Sequence, residues 1–220
     1  MKKILVLHTG GTISMSKEAD GNVAPNASNP LLNQEKLLEG KVHLVVESIF
    51  NIPSPHMTLA RMLQLKQRIQ KAYVEGIDGV VITHGTDTLE ETAYFLDITL
   101  ENRLPVVLTG AMRSSNEIGS DGLYNFISAV WTACSPESAN KGVLVVMNDE
   151  IHTARYVTKT HTTNVATFRT PTFGPIGMIA KEKTFFASEV SPQKVCDIHT
   201  VAGNVPLIKA YAGMDGSLFD

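Results

Sequence analysis

The run Gly79-Val80-Val81-Ile82-Thr83-His84-Gly85-Thr86-Asp87-Thr88-Leu89-Glu90-Glu91-Thr92 constrains the fold more than any other stretch of this chain. Its first part, Val80 to Thr83, is a short β-branched apolar run. That is the length and composition of a strand buried on both faces, so it predicts a central strand of a parallel sheet. Its last part sets a hydroxyl at Thr88 and acids at Glu90 and Glu91, which the unpartnered N–H groups of a helix start favour. Between strand and helix, His84, Gly85, Thr86 and Asp87 make a tight turn at a strand's carboxyl end. Open α/β sheets keep their ligand crevices there.

The same order of strand, small-residue turn and helix recurs along the chain. Lys3 to Leu7 reads as a first strand running into Thr9-Gly10-Gly11-Thr12-Ile13-Ser14, whose glycine pair permits a sharp turn and close approach of the backbone to a ligand. Val42 to Val46 reads as a second strand, followed by Pro53-Ser54-Pro55, where the prolines restrict the loop and hold Ser54 in place. Thr58 then caps a helix with apolar positions at Leu59, Met62, Leu65, Ile69 and Ala72 that ends near Gly76. Val106 to Thr109 opens into Gly110-Ala111-Met112-Arg113, Leu123 to Cys134 keeps a helical stripe, and Val143 to Met147 is a fifth strand. The repetition argues an α/β fold, a doubly wound and mostly parallel sheet with right-handed crossovers.

Other segments break the pattern. Met15 to Pro30 is polar and too long for an ordinary connection, which suggests a mobile lid or flap, and a short helix is expected from Leu31 to Leu38. After Met147 the apolar period fades into a Thr-rich stretch holding Thr158-Lys159-Thr160, and Met178 to Phe186 reads as a hairpin or edge element. The expected organisation is a large N-terminal α/β domain over 1–186, a linker over 187–204, and over 205–220 the truncated start of a smaller C-terminal α/β domain whose first strand is Val205 to Tyr211.

Composition removes several function classes. A formal net charge of −3, from 19 basic and 22 acidic residues, offers no broad basic surface to phosphate backbones, so nucleic acid is not an expected partner. The two cysteines, Cys134 and Cys196, lack C-x-x-C spacing; neither a disulfide framework nor a zinc knuckle is indicated, and a reduced, cytoplasmic setting fits. The histidines show no H-E-x-x-H or clustered spacing, so no metal is expected. The first turn lacks G-x-G-x-x-G spacing and no Walker lysine follows either turn, so no nucleotide cofactor is expected. The apolar part of the amino terminus stops at His8, and no apolar run is long enough to span a bilayer.

What remains is hydroxyl chemistry. Two strand-end turns each present a threonine beside a glycine, and a threonine hydroxyl needs an activating base that is itself oriented. Lys159 is a candidate base for Thr86, with Asp87 as a neighbouring carboxylate. The same residues also fit ordinary turns, a solvated lysine and a helix cap, so the pattern alone leaves both readings open.

Taken together, Thr9-Gly10-Gly11-Thr12-Ile13, His84-Gly85-Thr86-Asp87-Thr88-Leu89-Glu90-Glu91-Thr92, Thr109-Gly110-Ala111-Met112-Arg113 and Val157-Thr158-Lys159-Thr160 resemble, in order, the bacterial-type L-asparaginases of the cytoplasmic type I branch. The resemblance implies hydrolysis of the side-chain amide of L-asparagine without metal or cofactor. It implies Thr12 as primary nucleophile, and Thr86, Asp87 and Lys159 as a second hydroxyl, acid and base group. Ser54 and Asp87 would hold the substrate's α-carboxylate and α-amino groups, with Thr86 and Ala111 also against the substrate. It implies a homodimer or dimer of dimers in which a C-terminal domain completes a neighbouring site. The family usually carries a tyrosine in its flap, and the stretch 21–25 has none, so the base at Thr12 is unassigned. Glutaminase activity, the amidase half of a tRNA-dependent amidotransferase and a non-catalytic amino-acid-binding protein are the alternatives.

Overall fold

Side chains alternate along a strand, and in this chain that alternation sorts the apolar residues onto two faces of one sheet. The computed structural model describes residues 1–17, 23–25, 38, 40–101, 103–203 and 205–218. The first half runs β1 (Lys2–His8), β2 (Met15–Lys17), β3 (Val23–Pro25), β4 (Val42–Ser48), α1 (Leu59–Ala72), β5 (Gly79–Thr83) and α2 (Leu89–Thr99). The second half runs β6 (Val106–Thr109), α3 (Gly122–Cys134), β7 (Val143–Met147), β8 (Glu150–Thr153), β9 (Thr158–Lys159), β10 (Phe168–Arg169), β11 (Gly177–Ala180) and β12 (Lys183–Phe186).

The main sheet has the order β12-β11-β8-β7-β6-β5-β1-β4. From β4 to β7 the neighbours are parallel; β8, β11 and β12 continue it antiparallel. The doubly wound, mostly parallel α/β architecture is therefore the observed one. Asn148 and Asp149 have φ of 50° and 66°, the left-handed conformation a two-residue hairpin requires, so β7 turns straight back into β8. Lys181 and Glu182 do the same between β11 and β12, which is the hairpin expected over Met178 to Phe186.

Leu5, Leu7, Val80, Ile82, Leu108 and Val145 pack with α1 and α2 on one face. Ile4, Val6, Val81, Val107, Leu144 and Val146 pack with α3 on the other. The connections β4–α1–β5, β5–α2–β6 and β6–α3–β7 all step the same way across the sheet. Since α3 lies on the face opposite α1 and α2, its connection has the opposite hand, and the uniform right-handed winding expected from the repeats does not hold. The chain changes face through residues 110–121. This loop crosses the carboxyl edge of the sheet and is held there by Asp121, which accepts from the backbone N–H of Met112 (3.1 Å) and Arg113 (3.0 Å).

Three further expectations change. Residues 205–211 form no strand: Val205 and Leu207 are 95% and 100% exposed, no described strand flanks them, and Pro206 lacks the N–H a ladder needs. Leu59 opens α1 but is exposed, outside the stripe of Met62, Leu65, Ile69 and Ala72. The Thr88 hydroxyl does not cap α2; it donates to the Ser54 carbonyl at 2.8 Å. All but Leu38 of the helix expected over Leu31 to Leu38, and most of the flap expected over 15–30, lie outside the described residues, although β2 and β3 pair antiparallel across that flap. The stretch expected to be a linker holds to the α1/α2 face: the Cys196 N–H donates to the Ile98 carbonyl at 2.7 Å, and Ile198 and Val201 pack on the core.

Candidate active site

The parallel strands read, in chain order, with the second outside the first: β4, β1, β5, β6, β7. The order therefore reverses between β1 and β5, and at such a switch point the connections leave in opposite directions and open a crevice at the carboxyl ends. The two turns singled out in the sequence sit at this reversal, Thr9 to Thr12 after β1 and His84 to Asp87 after β5.

Backbone contact without side chains brings these turns together. Gly11 (φ 85°) lies so close to the β5 turn that a Cβ on it would fall 2.3 Å from the Gly85 Cα. A Cβ on Gly85 would in turn fall 2.7 Å from the Ser54 Cβ, and one on Gly10 (φ 101°) 2.5 Å from the Ile52 backbone. Three loops from β1, β4 and β5 thus meet at glycines: all three allow the approach, and Gly10 and Gly11 also allow the positive φ. Thr9 closes the arrangement, donating its N–H and hydroxyl to the Thr83 carbonyl at 3.1 and 2.9 Å.

The result is one cleft of about 180 Å³ lined by Thr12, Ser54, Thr86, Asp87, Met112 and Lys159 among others. Its size suits an amino acid better than the larger molecules that fill pockets of roughly 300–1,000 Å³. Lys159 Nζ donates to Thr86 Oγ1 at 2.9 Å and to Asp87 Oδ1 at 2.6 Å. The Asp87 carboxylate is 60% exposed while the lysine side chain is 15% exposed, so the ion pair has its acid at the mouth and its amine inside. Ser54, buried, accepts from the Asp87 N–H at 3.1 Å. Thr12 is half-buried in a 3₁₀ turn, and among the described residues nothing hydrogen-bonds its hydroxyl. The N-terminus of α2 follows directly, adding positive dipole potential where negative charge would develop.

Of the residues expected from the sequence, Thr12, Ser54, Thr86, Asp87 and Lys159 share the cleft, whereas the Ala111 side chain is buried in the core on the α3 face. Met112, its neighbour in the Thr109–Arg113 turn, lines the cleft instead. Met15 also lines the cleft, its carbonyl held by the Ser115 hydroxyl at 2.9 Å, which ties the root of the flap to the 110–121 loop.

Two buried histidines support the turns from below. Burial pushes the pKa of His84 down to about 4, so the ring is neutral. Its Nδ1 lies 2.7 Å from the Gly85 carbonyl and must carry the proton; Nε2, 3.0 Å from Thr92 Oγ1, then accepts. His8 is likewise pushed to about 4 by burial, with Nδ1 2.6 Å from Thr83 Oγ1. Among the described residues no group of His, Cys, Asp or Glu is arranged to hold a metal ion.

Residues 3–192 match the family model described as Asparaginase, N-terminal. The chain is 41% identical over 217 residues to the L-asparaginase of Bacillus licheniformis, covering 98% of this chain and 67% of that protein. It is 41% identical over 204 residues to a probable periplasmic L-asparaginase of Haemophilus influenzae, covering 91% of this chain and 58% of that protein. The fold matches the crystal structure of a probable cytoplasmic L-asparaginase from Campylobacter jejuni with a TM-score of 0.79 and 43% identity, over 87% of this chain and 58% of that one. The chain thus spans 58 to 67% of the length of these relatives.

Proposed function

The chain belongs to the asparaginase family, and on that premise we propose that its cleft hydrolyses the side-chain amide of L-asparagine to L-aspartate and ammonia. The observation that carries the reading is the contact of one lysine amine with both Thr86 Oγ1 and Asp87 Oδ1, in the cleft that Thr12 also lines. In this reading the Thr12 hydroxyl adds to the amide carbon, its proton leaves with the amide nitrogen as ammonia, and an acyl ester remains. Water, activated by Thr86 with Lys159 behind it, cleaves the ester and restores the hydroxyl. Ser54 and the carboxylate of Asp87 hold the α-carboxylate and α-amino groups, and the Gly-rich turns supply N–H donors to the oxyanion.

The same reading takes residues 1–186 as the catalytic domain, 187–204 as a linker and 205–220 as the start of a smaller domain. It places the protein in the cytoplasm as a homodimer or dimer of dimers, in line with the cytoplasmic designation of the Campylobacter jejuni protein.

The test is ammonia release from L-asparagine and from L-glutamine, with calorimetric binding of L-aspartate. Thr12→Ala and Lys159→Met are expected to lower turnover at least 100-fold, about 2.7 kcal/mol of barrier, while L-aspartate still binds to Thr12→Ala. Turnover by Thr12→Ala above about a tenth of the parent rate would exclude it as nucleophile.

A further inference from the structure

The mechanism asks Lys159 to meet Thr86 and Asp87 at once, yet the strand that carries it is weakly secured by its own ladder. β9 is two residues long and, among the described residues, pairs with β10, itself two residues long and outside the main sheet, the hairpin closing through the Thr160 N–H to the Thr167 carbonyl at 2.9 Å. A pairing this short holds little against fraying.

Val157 and Phe168 anchor the hairpin in the core, and a carboxylate from elsewhere holds the backbone of Lys159 itself. Glu90, in the first turn of α2, accepts the backbone N–H of Lys159 through Oε2 and the Thr158 hydroxyl through Oε1 at 3.1 Å. The turn that ends in α2 is the one that presents Thr86 and Asp87, only four and three residues before Glu90. One rigid piece of backbone therefore carries the two acceptors of the lysine amine and also the clamp on the lysine's main chain.

We propose that Glu90 is a positioning residue that sets Lys159 against Thr86 through two hydrogen bonds to residues 158 and 159; the catalytic part of this proposal rests on the function proposed above. An acid in a first helical turn has an ordinary alternative role, stabilising the helix dipole. Glu91 supplies that comparison, since it stands in the same turn and is exposed.

The test uses the full chain and two readouts. In amide hydrogen exchange, Glu90→Ala is expected to raise the exchange rate at residues 158–160 about tenfold or more, through local opening, with Glu91→Gln unchanged there. In ammonia release, Glu90→Ala is expected to lower kcat about 100-fold, the scale of a 1 Å misplacement, while Glu90→Gln, whose amide can still accept from Lys159 and donate to Thr158, stays within about fivefold. The double variant Glu90→Ala with Lys159→Met is expected to match Lys159→Met alone, since Glu90 acts only through that amine.

Unchanged exchange at 158–160 in Glu90→Ala overturns the clamp whatever the activity. An additive loss in the double variant overturns its action through Lys159, as does an equal loss in Glu91→Gln. A parent chain that releases no ammonia while Glu90→Ala still frees the strand would count against the function proposed above and leave the clamp standing as structure.

Discussion

If glycine-to-glycine contact is what sets Thr12 beside Thr86, then adding one methyl group at Gly11 should uncouple them. In Gly11→Ala the new Cβ would sit 2.3 Å from the Gly85 Cα, so reaching an ordinary contact of about 3.4 Å parts the two turns by about 1.1 Å. The residue also has φ 85° and ψ 175°, a region nearly reserved for glycine that costs an alanine about 1–3 kcal/mol, and overpacking against backbone adds about 1–3 kcal/mol. The expected stability loss is about 2–6 kcal/mol, and the displacement predicts a fall in turnover of about 100-fold. Gly76→Ala is the control without a clash: φ is 68° and nothing lies within 4 Å of its Cβ, so it carries only the cost of a positive φ. Urea unfolding followed by circular dichroism, alongside ammonia release and L-aspartate calorimetry, compares the two. A Gly11→Ala protein matching Gly76→Ala in both stability and function would refute the argument that this contact builds the site.

Two further outcomes follow from buried polar groups. His8 and His84 each stay neutral in the native chain down to about pH 4, whereas the unfolded chain protonates them near 6.5. Their depressed values therefore leave stability intact above pH 6.5 and erode it as pH falls toward 4, by about 3 kcal/mol per histidine at most; urea midpoints that stay flat from pH 7 to 4.5 would contradict this. Asp97, buried in α2, accepts the Val143 N–H at 2.8 Å and pairs with Arg155 at 3.3 Å. Asp97→Ala strands a guanidinium that is only 15% exposed, so a loss of about 3–5 kcal/mol is expected in the same urea assay; a loss under about 1 kcal/mol would show that water takes over both partners.

The parallel core was readable because β1, β5, β6 and β7 each carry a continuous apolar run, which only a strand covered on both faces needs. Of the antiparallel extension the β11–β12 hairpin was readable and β8 was not: β8 carries Glu150, His152 and Thr153, and its hairpin turns on Asn148 and Asp149 without the glycine that usually advertises such a turn. The hand of the β6–α3–β7 connection was hidden too, since handedness depends on which face a helix chooses, and the stripe of α3 suits either face. Glu90 was legible as a helix-start acid; its partners Thr158 and Lys159 come from a segment 68 and 69 residues away, and no local pattern announces them.

Residue order alone sets the kinds of group available: two hydroxyls beside glycines, a carboxylate at a strand end, and a lysine in a threonine-rich stretch. These are local properties, written in turn chemistry and apolar period. Their convergence belongs to the tertiary structure, because the order of β4, β1 and β5 decides where the sheet reverses and so which turns face each other. The distance between Lys159 and Thr86 is set by packing between distant segments, and packing is a property of the whole folded chain.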